Sequence, residues 1–360
     1  MAAMRRSNVV LFLFVALPLA AAEGKSPAWY LQQLAGSKNV YNIGAKPAAH
    51  PADEYTCIAR GGGIARIRSG NHWTLGLPPR HPDSGKLVAE AETFFDNKQY
   101  AEAAARYRKM LELDANDTIA HLLYGDTFFY RGDYAAALAE YRKALAVDAT
   151  DPAASFFSAN ALMRLDRADE AREAVVTALS YDPVYASLNK VLETRPEAFG
   201  LRPLARHRFT PPRGYLGKPD GKGITVYGGD ADEWRTYAIC KAVLRNEPDA
   251  RKAVLGDAEA VEASFEEERA CVTAYVDDNL ERTRARLEKA SGKKVSDEDV
   301  RDAAPPLVRH LVEVLDDGLF DGYVGFEILG QRCPIAASMY PDELHEEVTR
   351  YVARYVIVKK

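Results

Sequence analysis

The residues of this sequence that could act on a substrate or hold a metal are its seven histidines, its four cysteines and a few acidic runs. The histidines are His50, His72, His81, His121, His207, His310 and His345, and no two stand four apart as a helical zinc site requires. His345-Glu346-Glu347 has half of that pattern and lacks the second His, so an exposed polar helix face is its expected role. Asp316-Asp317-Gly318 with Asp321-Gly322 lacks the acid order and closing Glu of a calcium loop, and reads as a helix end and turn. Gly61-Gly62-Gly63 runs into Ile-Ala-Arg rather than the Gly-Lys-Ser/Thr of a phosphate-binding loop. Ser338 has no GxSxG elbow around it. Cys271, next but one to Arg269, would be a nucleophile only if its thiol were acidified. No catalytic constellation results, and neither a metal nor a cofactor is expected.

The cysteines are Cys57, Cys240, Cys271 and Cys333. An even number in an exported chain permits disulfides, and four cysteines allow three connectivities. One bridge among Cys240, Cys271 and Cys333 is expected, with buried free thiols as the alternative. Without a CxxC pair, a zinc site is not.

Export is suggested by the first 22 residues. Arg5-Arg6 precede an apolar run from Val9 to Leu19 and then Ala20-Ala21-Ala22, the order of a cleaved signal peptide. The run is too short to cross about 30 Å of hydrocarbon, and contains Pro18. Cleavage would remove two arginines and no acid, taking the formal charge from −5 to −7. Nucleic acid, bound mainly through Lys and Arg on phosphates, is a poor partner for such a surface. No later segment is apolar enough to span a membrane.

What positions the remaining residues is a repeat. Tyr100-Ala101-Glu102-Ala103 through Tyr107-Arg108-Lys109 returns 34 residues later as Tyr134-Ala135-Ala136-Ala137 through Tyr141-Arg142-Lys143, and more weakly as Ala168-Asp169-Glu170-Ala171 through Ala178-Leu179. Units 84–117, 118–151 and 152–185 hold strict register. Each reads as two helices, A and B. Gly125 and Ala137 stand where A and B must approach closely. Phe128 and Tyr141 fill the gaps between turns, Gly132 ends helix A, and Asp133 caps helix B.

This period and skeleton resemble the tetratricopeptide repeat (TPR) family. The resemblance covers residues 84–185. It implies a mainly α fold, with a TPR α-solenoid of three repeats sealed by one more helix near Val184–Thr194, and a concave face lined by the A helices. By the family's geometry that face carries Val88, Glu92, Phe95 and Asp96, then Ile119, Leu122, Asp126, Phe129 and Tyr130, then Phe156, Asn160, Met163 and Arg164. Val88 and Glu92 stand where the family's C-terminal-carboxylate clamp has Lys and Asn, which disfavours that ligand class. His121 replaces a frequent Trp. The expected occupant of the groove is a segment of a protein or peptide, or else the chain's own N-terminal segment, linker or last helix.

The other boundaries follow from composition. Residues 23–83 read as irregular, with a small hairpin around Gly61–Gly63 joining 55–59 to 64–68, and with Trp29, Tyr30, Tyr41, Tyr55 and Trp73 packing at least in part on the repeats. Residues 84–195 are the array, and 196–214, rich in Pro and Arg, read as a linker. Residues 215–360 read as a second, mostly helical domain in which no family is recognised. A strand is expected at 223–227 and helices at 232–246, 258–291, from Ser296, at 307–317 and at 341–358. The leading expectation is an exported, non-enzymatic interaction or scaffold protein. The competing one makes residues 215–360 a hydrolase that the repeats recruit.

Overall fold

The 34-residue period becomes three stacked helical hairpins in the computed structural model of the chain. The structure describes residues 25–44, 46–48, 65–69, 72–76, 80–202, 207–219, 223–256 and 264–359. The expected signal peptide, the strand expected at 55–59, Cys57 and the start of the helix expected from 258 lie outside them. The fold is mainly α, and it divides into two compact units. One joins residues 1–54 to 210–308, and the other joins 55–209 to 309–360.

In the second of these units the array runs α2 (Ser84–Asp96), α3 (Tyr100–Leu113), α4 (Thr118–Tyr130), α5 (Tyr134–Val147), α6 (Pro152–Arg164) and α7 (Ala168–Tyr181), with α8 (Ala186–Thr194) as the expected cap. Close approach is literal at Gly125, where a Cβ would lie 2.5 Å from Tyr141 Cε1. Asp117, Asp133 and Asp151 each accept a backbone N–H in the first turn of the following helix. Between the helices of each hairpin the chain takes a positive φ at positions 34 apart: Lys98 (60°), Gly132 (84°) and Asp166 (58°).

His121 keeps its place by polar means. Its Nδ1 lies 2.8 Å from Glu140 Oε2 and its Nε2 lies 3.0 Å from the Ala115 carbonyl oxygen, while Lys143 donates to Glu140 at 2.7 Å. Burial pushes the Glu140 carboxyl up, and the bonds from His121 and Lys143 outweigh it, holding the carboxyl below its usual range.

The C-terminal stretch belongs to this same unit. It holds α13 (Pro306–Asp316), α14 (Phe320–Tyr323), a π-helical stretch (Val324–Leu329), α15 (Gly330–Arg332), α16 (Pro334–Ala337) and α17 (Asp342–Tyr351), which continues as π-helix (Val352–Val356). Helix α17 packs on α7. Arg172 donates to the Ile357 carbonyl oxygen at 3.0 Å and also to that of Ala353, so α7 caps the end of the last helix. Residues 309–360 thus join the repeats, where composition had grouped them with 215–308. The boundary between the two units falls inside the expected linker 196–214, after Phe209. At the start of that stretch a 3₁₀ turn at Pro196–Phe199 and Leu201 paired with Lys359 bury Phe199 and Leu201. Strands β2 (Ala65–Ser69) and β3 (His72–Gly76) also belong here. They pair antiparallel, Ser69 with His72, while the hairpin expected around Gly61–Gly63 lies outside the described residues.

The other unit is built around α9 (Arg235–Asn246), α10 (Pro248–Leu255), α11 (Phe265–Ser291) and α12 (Asp297–Ala303). Ser296 and Asp299 form the expected capping box of α12. The expected strand is present as β4 (Ile224–Tyr227), paired in parallel with β1 (Tyr41–Gly44). Residues 27–44, part of a segment expected to be irregular, instead give α1 (Pro27–Gly36) and β1, with α1 packed on α9 and α11. Ser26, with Pro27 at the first helical position, starts α1 despite the surrounding prolines.

Candidate functional site

The expected groove residues separate into two groups. Phe95 of α2 meets Tyr130 of α4 edge-on at 5.3 Å and Tyr100 of α3 at 5.2 Å, and Tyr100 stacks on Tyr130 at 5.8 Å. Phe129 touches Tyr130 at 5.8 Å and Tyr134 of α5 at 5.2 Å. The Arg164 guanidinium of α6 lies 5.8 Å over the Tyr134 ring. A continuous aromatic ladder therefore runs through the first two repeats and ends on a cation of the third. Tyr130 at its middle is 60% exposed. Tyr100 and Tyr134, repeat residues of the 34-residue skeleton, each open a helix B. Their identity 34 residues apart was the signal that a second row of aromatics faces the same way.

The other group closes on itself. Phe156 packs against Tyr185 at 5.9 Å and Phe199 at 6.4 Å and is 8% exposed. Asn160 spends its amide on the Phe156 carbonyl at 2.9 Å. At the third repeat the chain's own residues occupy part of the expected surface. Val88 packs partly buried against the Ala91–Met110 core cluster, Leu122 is buried, and Met163 is half-buried.

Beside the ladder lie the acids. The Tyr141 hydroxyl donates to Asp126 Oδ1 at 2.6 Å. Burial pushes the Asp126 carboxyl up to about 6, against the lowering effect of that bond. Burial also pushes the Tyr107 hydroxyl up to about 12, aided by the charges of Glu92, Asp126 and Asp96. The charges of carboxylates from two adjacent repeats thus act on one hydroxyl. Among the described residues none of the three acids has an ion-pair partner.

Elsewhere the reactive residues are engaged. Cys271 bonds to Cys240, the two Cα atoms 5.4 Å apart, linking α9 to α11. That removes it as a nucleophile. Cys333 is disulfide-bonded too, and not to either of these. Next to the Cys240–Cys271 bridge, fully buried Lys241 pairs with Glu267 and, at 2.8 Å, with Glu268. Arg245 and Arg251 reach Glu267 at 3.2 and 3.1 Å, and Tyr237 donates to Glu268 at 2.7 Å. Asp317 holds the Tyr355 hydroxyl and Arg354. His345 is buried rather than on an exposed face, and stacks on Tyr181 at 3.7 Å. His310 stacks on His207 at 3.8 Å, and burial lowers it to about 4. No group of three or more His, Cys, Asp or Glu among the described residues is placed to hold a metal ion.

Two tetratricopeptide-repeat family models match the chain, over residues 88–155 and 128–192. No curated protein matches it. Similar solved structures include the first TPR domain of Spaghetti (RPAP3) bound to the HSP90 peptide SRMEEVD, 18% identical, covering 33% of this chain and 98% of that one with a TM-score of 0.31. The Yersinia enterocolitica secretion chaperone SycD in complex with a peptide of the translocator YopD is 21% identical, covering 32% and 87% with a TM-score of 0.30. MamA protein is 12% identical, covering 65% and 94% with a TM-score of 0.29. Residues 88–192 are tetratricopeptide repeats, and this segment is a protein–protein interaction module.

Proposed function

We propose that this chain is an exported, non-enzymatic interaction protein whose first two repeats receive a segment of a partner on the Phe95–Tyr100–Tyr130–Phe129–Tyr134 ladder. The observation that carries this is the open ladder itself. Aromatic rings joined across repeats, with Tyr130 60% exposed at the centre, are the kind of rigid anchors that dominate interfaces. The third repeat, closed by Tyr185 and Phe199, supplies the floor at which the bound segment ends.

Export rests on Arg5-Arg6 and the short apolar run after them, and the Cys240–Cys271 bridge fits an oxidising compartment. Among the described residues no helix is long and apolar enough to cross a membrane. A formal charge of −5 argues against nucleic acid as the partner. The non-enzymatic reading is supported by the engagement of Cys271, the one candidate nucleophile of 215–360, in the bridge to Cys240.

The test is cross-linking with mass spectrometry on the exported protein, comparing wild type with a Phe129→Ala, Tyr130→Ala double variant. Loss of the partner cross-links in the variant, with the array still folded by circular dichroism, is expected. Unchanged cross-links would remove the ladder as the binding face.

A further inference from the structure

We infer that the partner segment is cationic, and that a Lys or Arg side chain beside an apolar or aromatic residue enters between the Phe95–Tyr130 edge of the ladder and the carboxylates Glu92, Asp96 and Asp126. This rests on the interaction reading above and adds the chemistry of the occupant.

Three observations combine. Phe95 of α2 and Tyr130 of α4 are in ring contact at 5.3 Å, with Asp96 next to Phe95, Glu92 one turn before Asp96 and Asp126 one turn before Tyr130. The charges of all three acids act on the Tyr107 hydroxyl, so negative charge from two repeats gathers on one side of the ladder. Among the described residues no Lys or Arg neutralises them, although other acids of the array do find partners, as Glu90 does in Arg106 at 3.4 Å and Glu170 in Arg167 at 2.6 Å. The wall beside them is aromatic, with Phe95 on the helix that carries Glu92 and Asp96, and Tyr130 one turn beyond Asp126. Carboxylates in front and a ring face alongside are the two attractions that a guanidinium or ammonium group meets at once. The ladder's far end already shows the second of them, in Arg164 over Tyr134.

Asp126 gives the site a pH dependence. Around it stand Tyr141 of α5 and Tyr107 of α3, Glu92 and Asp96 of α2 near the same Tyr107, and Tyr185 after α7. None of these is a cation, so the half-buried carboxyl is discharged as the pH falls through about 6. A bound cation favours its ionised form, so affinity falls on acidification and rises on return to neutral pH.

A phage-displayed random dodecapeptide library panned on the purified chain near neutral pH tests this, with each clone counter-screened on the Phe129→Ala, Tyr130→Ala variant. Clones that need the ladder should be enriched in Lys or Arg next to an aromatic or aliphatic residue. A synthetic peptide from them should bind Asp126→Asn about tenfold more weakly, and wild type similarly weakly at about pH 5. Ladder-dependent clones without basic residues, or indifferent to Asp126→Asn, would overturn the cationic partner and leave the interaction reading standing. A panning in which no clone depends on Phe129 and Tyr130 would overturn both.

Discussion

The Tyr141 hydroxyl donates to Asp126 across the two helices of the second repeat at 2.6 Å. One bond ties the skeleton of the array to its inner face. Tyr141 is buried as a packing residue, and its acceptor is a groove residue whose ionisation burial opposes.

That opposition has a stability consequence. The folded-state value for Asp126 lies near 6, above the 3.8 of the unfolded chain. A raised acid favours the folded state below the unfolded value, and this contribution is lost as pH rises through about 4 to 6. Asp126→Asn should therefore stabilise the protein by about 1–2 kcal/mol at pH 8 and by little at pH 4. Thermal melts at the two pH values check it, and equal effects at both would contradict it. A groove residue that costs stability at neutral pH fits a role in binding.

Gly125 and Tyr141 occupy one another's space. A Cβ on residue 125 would come within 2.5 Å of the Tyr141 ring. Gly125→Ala should cost about 1–3 kcal/mol in urea unfolding. In a Tyr141→Leu background the same change should cost much less, because the ring it meets has gone. Additive costs would show that the crowding lies elsewhere.

Lys98 and Asp166 adopt the left-handed conformation that Gly132 takes in the middle repeat. An L side chain there is strained by about 1 kcal/mol. Lys98→Gly and Asp166→Gly should each stabilise by up to roughly that amount, while Gly132→Ala should destabilise by a similar one. Chemical denaturation of the three single variants decides the sign.

These features were unequally legible beforehand. Three registered repeats, the cap near 184–194, the strand at 223–227 and the Ser296 capping box follow from local spacing, and each is where spacing put it. The ladder was half visible. Phe95, Phe129 and Tyr130 came from the family's groove positions, while Tyr100 and Tyr134 counted as packing residues because their two roles share one position. Placement of 309–360 with the repeats was not legible. It depends on Arg172 meeting carbonyls at 353 and 357, and on α7 meeting α17, contacts between segments some 180 residues apart. The parallel pairing of Tyr41 with Ile224 is hidden for the same reason. Gly70-Asn71 between Ser69 and His72 is a short-range hairpin signal, overshadowed by the glycine triplet before it.

In the unit of 1–54 and 210–308, the buried charges form one electrostatic unit. Burial pushes Glu267 up, but the charges of Lys241 and Arg245 outweigh it and hold its carboxyl below the usual range. A depressed acid contributes stability above its unfolded value and loses it as pH falls through the folded one, so this unit should weaken in strong acid. Lys241→Met strands Glu267 and Glu268 without their nearest cation and should cost about 3–5 kcal/mol at neutral pH. Fluorescence of Trp234, stacked on Tyr275 at 4.8 Å in this unit, is the probe. An unchanged transition in the variant would show that Arg245 and Arg251 suffice alone.

The central claim is that the ladder of the first two repeats is where a partner docks. A photo-crosslinking benzoylphenylalanine in place of Tyr130 tests it most directly, with the same group in place of exposed Arg108 on α3 as the control. On illumination of the exported protein, the Tyr130→benzoylphenylalanine protein should give a discrete adduct that the Arg108→benzoylphenylalanine protein does not. No adduct from position 130, or the same adduct from both positions, would contradict it.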